Sequence, residues 1–177
     1  RVLFRSLQLG TLRQAGVGNI KLSDTAAINK IINSPISVKL RPANLKFTKF
    51  MWAYKPDSAD PDNLTLFAIR GNISQKAPVD GAVETARINY DNLGRVVVDM
   101  QMDTEGTRDW ATLTEKNVGK PVAVTLDNIV YTAPNVNEPI PSGRSQISGN
   151  FTQEEAKDLT DVLSAGKLPA SAKVVQA

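Results

Sequence analysis

Hydrophobic and polar positions predict a helix over residues 104–118. Its inward stripe consists of Gly106, Trp110 and Leu113. Asp103 can cap this helix, because its carboxylate can accept hydrogen bonds from backbone N–H groups of the first turn. Gly119 suits the left-handed position that follows a last helical turn, and the proline two residues later cannot continue the helix.

The next segment, residues 122–133, predicts a β-hairpin. Its two-residue turn is Asp127-Asn128, because both residue types tolerate the positive φ that a type I′ turn requires. With the turn there, one face of the hairpin is expected to be core. That face carries Val122, Val124, Leu126, Ile129, Tyr131 and Ala133. We expect Trp110 and Leu113 to pack on it.

The N-terminal third of the chain predicts a helical turn, an edge strand and a helix. Leu3, Phe4 and Leu7 form the turn and residues 17–22 the strand. The helix begins after Ser23 or Asp24 and ends at Asn33-Ser34-Pro35. Its stripe consists of Ala27, Ile28, Ile31 and Ile32, which is typical of a core-facing helix.

Two segments that follow are open to more than one interpretation. Residues 36–44 fit either a strand or a short helix before Pro42. Residues 45–54 predict a strand with apolar side chains on both faces. Either the strand is covered on both sides over its second half, which we favour, or it presents Trp52 and Tyr54 to a partner.

The remaining elements are predicted from their local patterns. Strands are expected at 64–69, 87–90, 96–102, 145–148 and 174–175, with Gly94 at a positive-φ turn position and an extended surface loop at 135–143. The last helix begins with a capping box, in which Thr152 caps and Glu155 reaches back. Its buried stripe consists of Ala156, Leu159, Val162 and Leu163.

Composition restricts the chemistry. The 177 residues include no His and no Cys, which removes imidazole and thiolate metal sites, disulfides and the common nucleophile–base pairs. We therefore expect no metal and no cofactor. The net charge of +3 is spread over interspersed charges, so nucleic-acid binding is not expected. No stretch reaches the roughly 18 apolar residues of a membrane span.

Aspartate and glutamate are the remaining candidates for catalytic residues. They occur in three sets, and each set has a structural explanation. The sets are Glu154 with Glu155 and Asp158, Asp99 with Asp103, and Asp60 with Asp62. They lie at helix starts, on a polar helix face or in a loop, so no pair is expected to converge on a substrate. We predict that the chain is not an enzyme.

Several motifs occur in the order found in one known family. They are Trp110, Thr114, Asn117-Val118-Gly119-Lys120, Leu126-Asp127, Tyr131-Thr132-Ala133-Pro134, Gly143-Arg144-Ser145, Ile147-Ser148-Gly149-Asn150-Phe151-Thr152, Glu155-Ala156-Lys157-Asp158-Leu159 and Ala165-Gly166-Lys167-Leu168-Pro169-Ala170, with Ala77-Pro78-Val79-Asp80-Gly81 upstream. Together they resemble the first periplasmic domain of the SecD/SecDF protein-export membrane proteins. The resemblance is specific from about residue 77 onward and loose before it. It also favours a helical turn for residues 36–44.

The resemblance implies an α+β fold. A mixed or antiparallel sheet would carry helices on one face, and the chain would end in a strand of a ferredoxin-like base subdomain. Residues 1–165 would form the periplasmic head domain, and residues 166–177 the C-terminal segment of the base. Because the chain begins with Arg1, we expect it to be part of a longer protein.

The same resemblance implies a function in protein export at the bacterial inner membrane, on the periplasmic side. The domain would assist translocation by transiently binding the emerging chain, driven by the proton gradient through membrane helices outside this sequence. The implied partners are unfolded preprotein, a SecF-like partner or fused half, the Sec translocon channel, and the membrane through flanking helices. The candidate polypeptide contacts are Trp52, Tyr54, Tyr131, Asn135 and Arg144.

Two other classes of protein remain as alternatives. An extracytoplasmic carbohydrate-binding or adhesion module would need an exposed aromatic platform, for which Trp52 and Tyr54 are the candidates. A glycosidase-like or transferase-like enzyme would need carboxylates that converge in a cleft.

Overall fold

The computed structural model describes residues 16–56, 60–70, 77–79, 82–149 and 151–165. The N-terminal helical turn and the final strand, both predicted from sequence, lie outside the described residues. The described residues have an α+β architecture, as predicted, but they form two sheets where the prediction had one. The chain divides into two compact units, with boundaries after residues 76, 122 and 133.

The first unit has a five-stranded sheet with two helices. In chain order its elements are β1 (Gly16–Lys21), α1 (Thr25–Ile32), α2 (Pro35–Lys39), β2 (Lys49–Ala53), β3 (Asn63–Ile69), β6 (Val124–Leu126) and β7 (Ile129–Thr132). The strand order is β1-β3-β2-β7-β6, so β1 is an edge strand as predicted. The pairs are antiparallel except β2–β7, which is parallel.

The core of this sheet lies where α1 covers it. Ile20, Ile28 and Leu66 are buried together, and Trp52 packs against them with part of its surface exposed. Met51 is buried on the opposite face of β2. Strand β2 is therefore covered on both sides at Met51 and Trp52, as the favoured interpretation predicts, whereas Tyr54 directly after the strand is exposed.

The segment before β2 differs in part from the prediction. Residues 35–39 form α2, so the helical interpretation of 36–44 is confirmed at its start. The strand predicted from residue 45 begins only at Lys49, because residues 43–45 form a 3₁₀ turn. Arg41 stabilises this connection by donating to the carbonyls of Ile32 and Thr48, at 2.9 and 3.1 Å.

The second unit has a three-stranded antiparallel sheet with two helices. Its elements are β4 (Val83–Tyr90), β5 (Val96–Met102), α3 (Thr104–Lys116), β8 (Arg144–Ser148) and α4 (Gln153–Ala165). The strand order is β4-β5-β8. Both helices bond to the same face, because Trp110 donates to Ser145 and Gln153 donates to Tyr90. That face carries Val98 and Met100, which are buried.

The predicted helix caps form in this unit. Asp103 caps α3 by accepting from the N–H of Gly106 at 2.7 Å, and Gly119 has φ +74°. Thr152 and Glu155 form the capping box, with bonds of 2.8 and 3.2 Å between backbone N–H and side chain. In the predicted stripe of α4, Val162 is only half-buried, and Thr160 is buried beside Leu159.

The β4–β5 turn is stabilised by Asp91. Its carboxylate accepts from the N–H groups of Leu93 and Arg95, both at 2.9 Å, and from the Arg95 guanidinium at 2.7 Å. The hydrogen bond from the Arg95 backbone is the main reason that the pKa of Asp91 is lowered. Gly94 has φ +74°, as the turn prediction requires.

The predicted packing of α3 on the hairpin is wrong. The hairpin forms, and Asp127 and Asn128 have the expected positive φ of 50° and 64°. However, β6 and β7 join the sheet of the first unit by pairing with β2, whereas α3 belongs to the second unit. Trp110 is half-buried and bonds to Ser145 of β8 instead.

The core face predicted for the hairpin is also wrong. Val130 is the buried residue of the hairpin, whereas Ile129 is exposed. Parallel pairing places Val130 opposite Ala53, on the sheet face that also carries Met51. The register shifts between Val124 and Thr125, so alternation does not continue across that point.

Gly106 lies where α3 approaches the segment before β4. A Cβ added there would collide with the Cβ of Ala82 and lie 3.0 Å from its carbonyl oxygen. We expect Gly106→Ala to lower the free energy of unfolding by about 1–3 kcal/mol, despite the better helix propensity of alanine. Urea denaturation of both proteins measures the difference.

Ala82→Gly provides the control, because it removes the atom that the new Cβ would meet most closely. The double variant should recover part of the loss caused by Gly106→Ala, giving a favourable coupling energy. Strictly additive effects would show that the two positions do not collide.

Candidate functional site

Two of the candidate aromatic residues are brought together by the β2–β7 pairing. The N–H of Tyr54 donates to the carbonyl of Val130 at 2.8 Å, directly after the end of β2. The rings of Tyr54 and Tyr131 stack with centroids 4.5 Å apart and an angle of 19° between their planes. Tyr54 remains 47% exposed, so this stack is accessible at the surface.

Trp52 occupies a different environment. Its indole Nε1 donates to the side-chain oxygen of Asn29 on α1 at 2.8 Å, and its ring packs on the core of the first unit. Trp52 and Tyr54 therefore do not form a joint aromatic platform. This weakens the carbohydrate-binding alternative, which depended on that platform.

Asn135 lies in the loop that the sequence predicts as an extended surface loop. The start of this loop is fixed, because the next residue, Val136, is buried and exchanges backbone bonds with the segment after α3. Val136 donates to Lys120 at 3.0 Å and accepts from Gly119 at 2.8 Å. The side chain of Asn135 itself is exposed.

The far end of this loop is also fixed, directly before Arg144. Gly143 has φ +67°, which glycine adopts without strain, and a Cβ there would collide with Thr107 on α3. Its carbonyl accepts from the N–H of Met102 at 2.9 Å. The Nε of Arg144 donates to Gln101 Oε1 across the strand pair at 2.8 Å. Arg144 is thus an exposed cation held at the start of β8.

The strand that begins at Arg144 lies at one edge of the sheet in the second unit. Only β5 pairs with β8 in the described part of the chain. Because Met102 and Gly143 form a hydrogen-bonded pair, alternation directs the N–H and C=O groups of Ser145 and Ile147 toward β5. Those of Gln146 and Ser148 point toward the open side of the strand.

The opposite edge of this sheet is less open at its end. There the N–H of Tyr90 already donates to the side chain of Asn89 at 2.9 Å, and the Tyr90 hydroxyl accepts from Gln153 on α4. On β8, by contrast, the N–H of Gln146 points outward, and Arg144, two residues earlier on the same strand, is an exposed cation. Strand β8 therefore offers both backbone groups and charge.

Four of the carboxylates that were considered for catalysis from the sequence make local structural hydrogen bonds. Asp103 and Glu155 cap helices, Asp99 accepts from Gln146 at 2.8 Å, and Asp60 accepts from Asn63 at 2.8 Å. Among the described residues, no three His, Cys, Asp or Glu side chains are grouped as a metal site would require. Within the same residues, no helix is both long and apolar enough to cross a bilayer.

Sequence reasoning did not single out Gln146 or Ser148. It predicted a short strand there, but a strand's position at the edge of a sheet depends on which other strands pair with it. Of the five candidates, Trp52, Tyr54 and Tyr131 lie in the first unit, and Asn135 and Arg144 in the second.

Comparisons with known proteins give the family. The sequence model of the family described as SecDF, P1 head subdomain, matches residues 70–170. The protein translocase subunit SecD of Rhodothermus marinus is 40% identical over 154 residues, which is 86% of this chain and 24% of the relative. The SecD subunit of Desulfurispirillum indicum is 45% identical over 92 residues, 51% of this chain and 18% of the relative.

One solved structure is described as a membrane component SecDF that enhances protein export. It is 33% identical, covers 55% of this chain and 46% of its own, and has a TM-score of 0.45. On the match to the family model, the chain belongs to the SecDF P1 head family. It spans about a quarter of the length of the Rhodothermus marinus relative.

Proposed function

We propose that this chain is a periplasmic domain of a SecD-type subunit of the Sec translocase. In this function it assists preprotein translocation by transiently binding the emerging, unfolded chain. The observation that carries the proposal is the family match over residues 70–170, which includes all of β8. The domain would act by binding and not by catalysis.

The open edge of β8 provides the physical means of binding. An extended polypeptide can pair with the outward N–H and C=O groups of Gln146 and Ser148 as an added strand. Backbone groups are the same in every polypeptide, so this mode of binding needs little sequence specificity. Arg144 adds attraction for acidic segments at the start of the strand, although solvent screening limits its effect.

Binding by this edge should be weak. A client that must be released cannot be held tightly, and we expect a Kd of roughly 10 µM to 1 mM. Asn135, which is exposed on the loop that leads to β8, is kept as a further side-chain contact in our proposal. Trp52, Tyr54 and Tyr131 remain candidates for a second contact surface in the first unit.

The remaining parts of the proposal follow from family membership. The proton gradient would act through membrane helices outside this sequence, which would also anchor the domain at the inner membrane. A SecF-like partner or fused half and the Sec channel would be the protein partners. We keep the division into a head domain at residues 1–165 and a base segment at 166–177 as part of this proposal.

A proline at position 146 tests the proposal. Gln146→Pro removes an N–H that points away from β5, so it should leave the β5–β8 pairing intact. In an NMR titration of the 177-residue chain with an unfolded polypeptide, we expect shifts along β8 for the unmodified protein. The variant should bind at least about fivefold more weakly, as the loss of one strand-pairing bond predicts.

Gln146→Ala is the matched control. Both substitutions remove the side-chain bond to Asp99, but alanine retains the backbone N–H. The alanine variant should therefore bind as the unmodified protein does. Equal binding by the proline variant, or no shifts at millimolar polypeptide, would contradict the proposal.

A further inference from the structure

The first unit carries an exposed apolar patch, which we define as Ile36, Val38, Leu40 and Leu45. Ile36 is 71% exposed and Leu40 is 74% exposed, and they lie four residues apart on and just after α2. Val38 and Leu45 are also exposed. Four large apolar side chains within ten residues form a concentration that an exposed surface seldom carries without a binding function.

The chain segment that carries the apolar patch has charges of a single sign. Residues 25–56 contain six Lys and Arg and no Asp or Glu, so this stretch carries +6 although the whole chain carries only +3. Lys30, Lys39 and Lys46 are exposed cations of the stretch. No two of these cations are adjacent, so the segment does not stand out in the sequence as a run of charge.

The patch has a fixed shape. The guanidinium of Arg41 donates to carbonyls at the end of α1 and just before β2, and it lies 5.3 Å from the ring centroid of Phe50. This residue thus holds both ends of the connection that carries α2. An open pocket of about 300 Å³ adjoins the connection, with Val38, Arg41 and Lys46 among its lining residues.

We propose that the apolar patch and its surrounding cations dock the first unit on an anionic phospholipid bilayer. Apolar side chains on a short surface helix can enter the interfacial region while lysines contact lipid phosphates. Lysine is suited to this position because its long stem lies along apolar surface and its ammonium group stays in water. The pocket beside Arg41 and Lys46 can accept a headgroup phosphate.

Two observations favour a bilayer over an acidic polypeptide. Ile36 and Leu40 project from a single short helix and do not line a groove of the kind that receives a peptide helix. The adjoining strand β2 is paired on both sides, by β3 and β7, so it has no free edge for an added strand. A planar, negatively charged surface fits exposed apolar side chains that share a chain segment with exposed lysines.

Vesicle co-sedimentation of the whole 177-residue chain tests this proposal. The probes are vesicles of phosphatidylcholine alone and vesicles of phosphatidylcholine mixed with phosphatidylglycerol. We expect binding to the anionic vesicles, weakened by added salt, and little binding to the zwitterionic ones. Equal partitioning into both, or into neither, would overturn the proposal.

Substituting two leucines of nearly equal exposure distinguishes docking through the apolar patch from nonspecific binding through any exposed apolar side chain. Leu40→Ser should weaken vesicle binding roughly tenfold, whereas Leu93→Ser, on the β4–β5 turn and 76% exposed, should leave it unchanged. Circular dichroism will verify that both variants remain folded. The same effect from both variants would overturn the assignment to the apolar patch.

Lysine-to-glutamine variants test the contribution of charge to vesicle binding independently. Lys39→Gln with Lys46→Gln should weaken binding about 10- to 30-fold, since each lysine at an anionic surface contributes roughly a factor of five. Lys116→Gln with Lys157→Gln, on α3 and α4, changes the net charge equally and should have little effect.

Soluble polyglutamate that binds as strongly as the vesicles would overturn the proposal of bilayer docking in favour of an acidic polypeptide. Gln146→Pro should leave vesicle binding intact, so this proposal and the proposed function can fail separately.

Discussion

Replacing Trp110 with alanine should lower the free energy of unfolding by about 3 kcal/mol, the lower end of the range for truncating a packed aromatic residue. The reason differs from the one that sequence suggested. The indole joins α3 to β8, because its Nε1 donates to the hydroxyl of Ser145 at 2.7 Å. The variant therefore loses ring packing and leaves that hydroxyl without its donor. Urea denaturation monitored by circular dichroism measures the loss.

Trp110→Phe separates packing from hydrogen bonding. Phenylalanine retains most of the ring but cannot donate to Ser145, so we expect a loss of about 1–1.5 kcal/mol. Ser145→Ala should cost a similar amount, because it leaves the Trp110 N–H without its acceptor. A loss under about 1 kcal/mol for Trp110→Ala would show that the indole does not join the two elements.

Leu159→Ala should be equally damaging, at about 2–5 kcal/mol. Leu159 is 3% exposed and lies on the face of α4 that covers the β4–β5 strands. Ala156 and Leu163, which flank it on the same helical face, are also buried. Closely packed neighbours cannot collapse freely into the space that the side chain leaves, so most of the cavity cost remains.

Leu93→Ala is the control for this change. It removes the same atoms from a position that is mostly exposed, so we expect a loss within about 0.5 kcal/mol. The difference between the two losses in free energy of unfolding then measures the contribution of burying the leucine side chain. Similar losses at both positions would contradict the placement of Leu159 in the core.

The family match also bears on how the two units are interpreted. The matched residues 70–170 include the second unit up to residue 170 and the β6–β7 hairpin, whereas most of the first unit precedes the match. The strand edge proposed for polypeptide binding lies inside the match, and the apolar patch proposed for bilayer docking lies before it. Measuring both kinds of binding for Gln146→Pro and for Leu40→Ser therefore assigns the two activities separately.

Features governed by neighbouring residues could be predicted from the sequence itself. Asp103 caps α3, Thr152 and Glu155 form a capping box, and Asp127-Asn128 forms the hairpin turn. In each case the donor and acceptor, or the required φ, lie within a few residues of one another. Local hydrogen bonds and steric preferences therefore suffice to define them.

The tertiary structure alone decided which elements meet. Strand β7 pairs in parallel with β2, more than seventy residues earlier, and this pairing buries Val130 instead of Ile129. Trp110 finds its partner 35 residues away in Ser145. Such contacts depend on the summed packing and strand register of distant segments, which a local alternation pattern does not contain. For the same reason the sequence predicted a strand at 145–148 but could not show that, within the described part of the chain, β5 is its only partner.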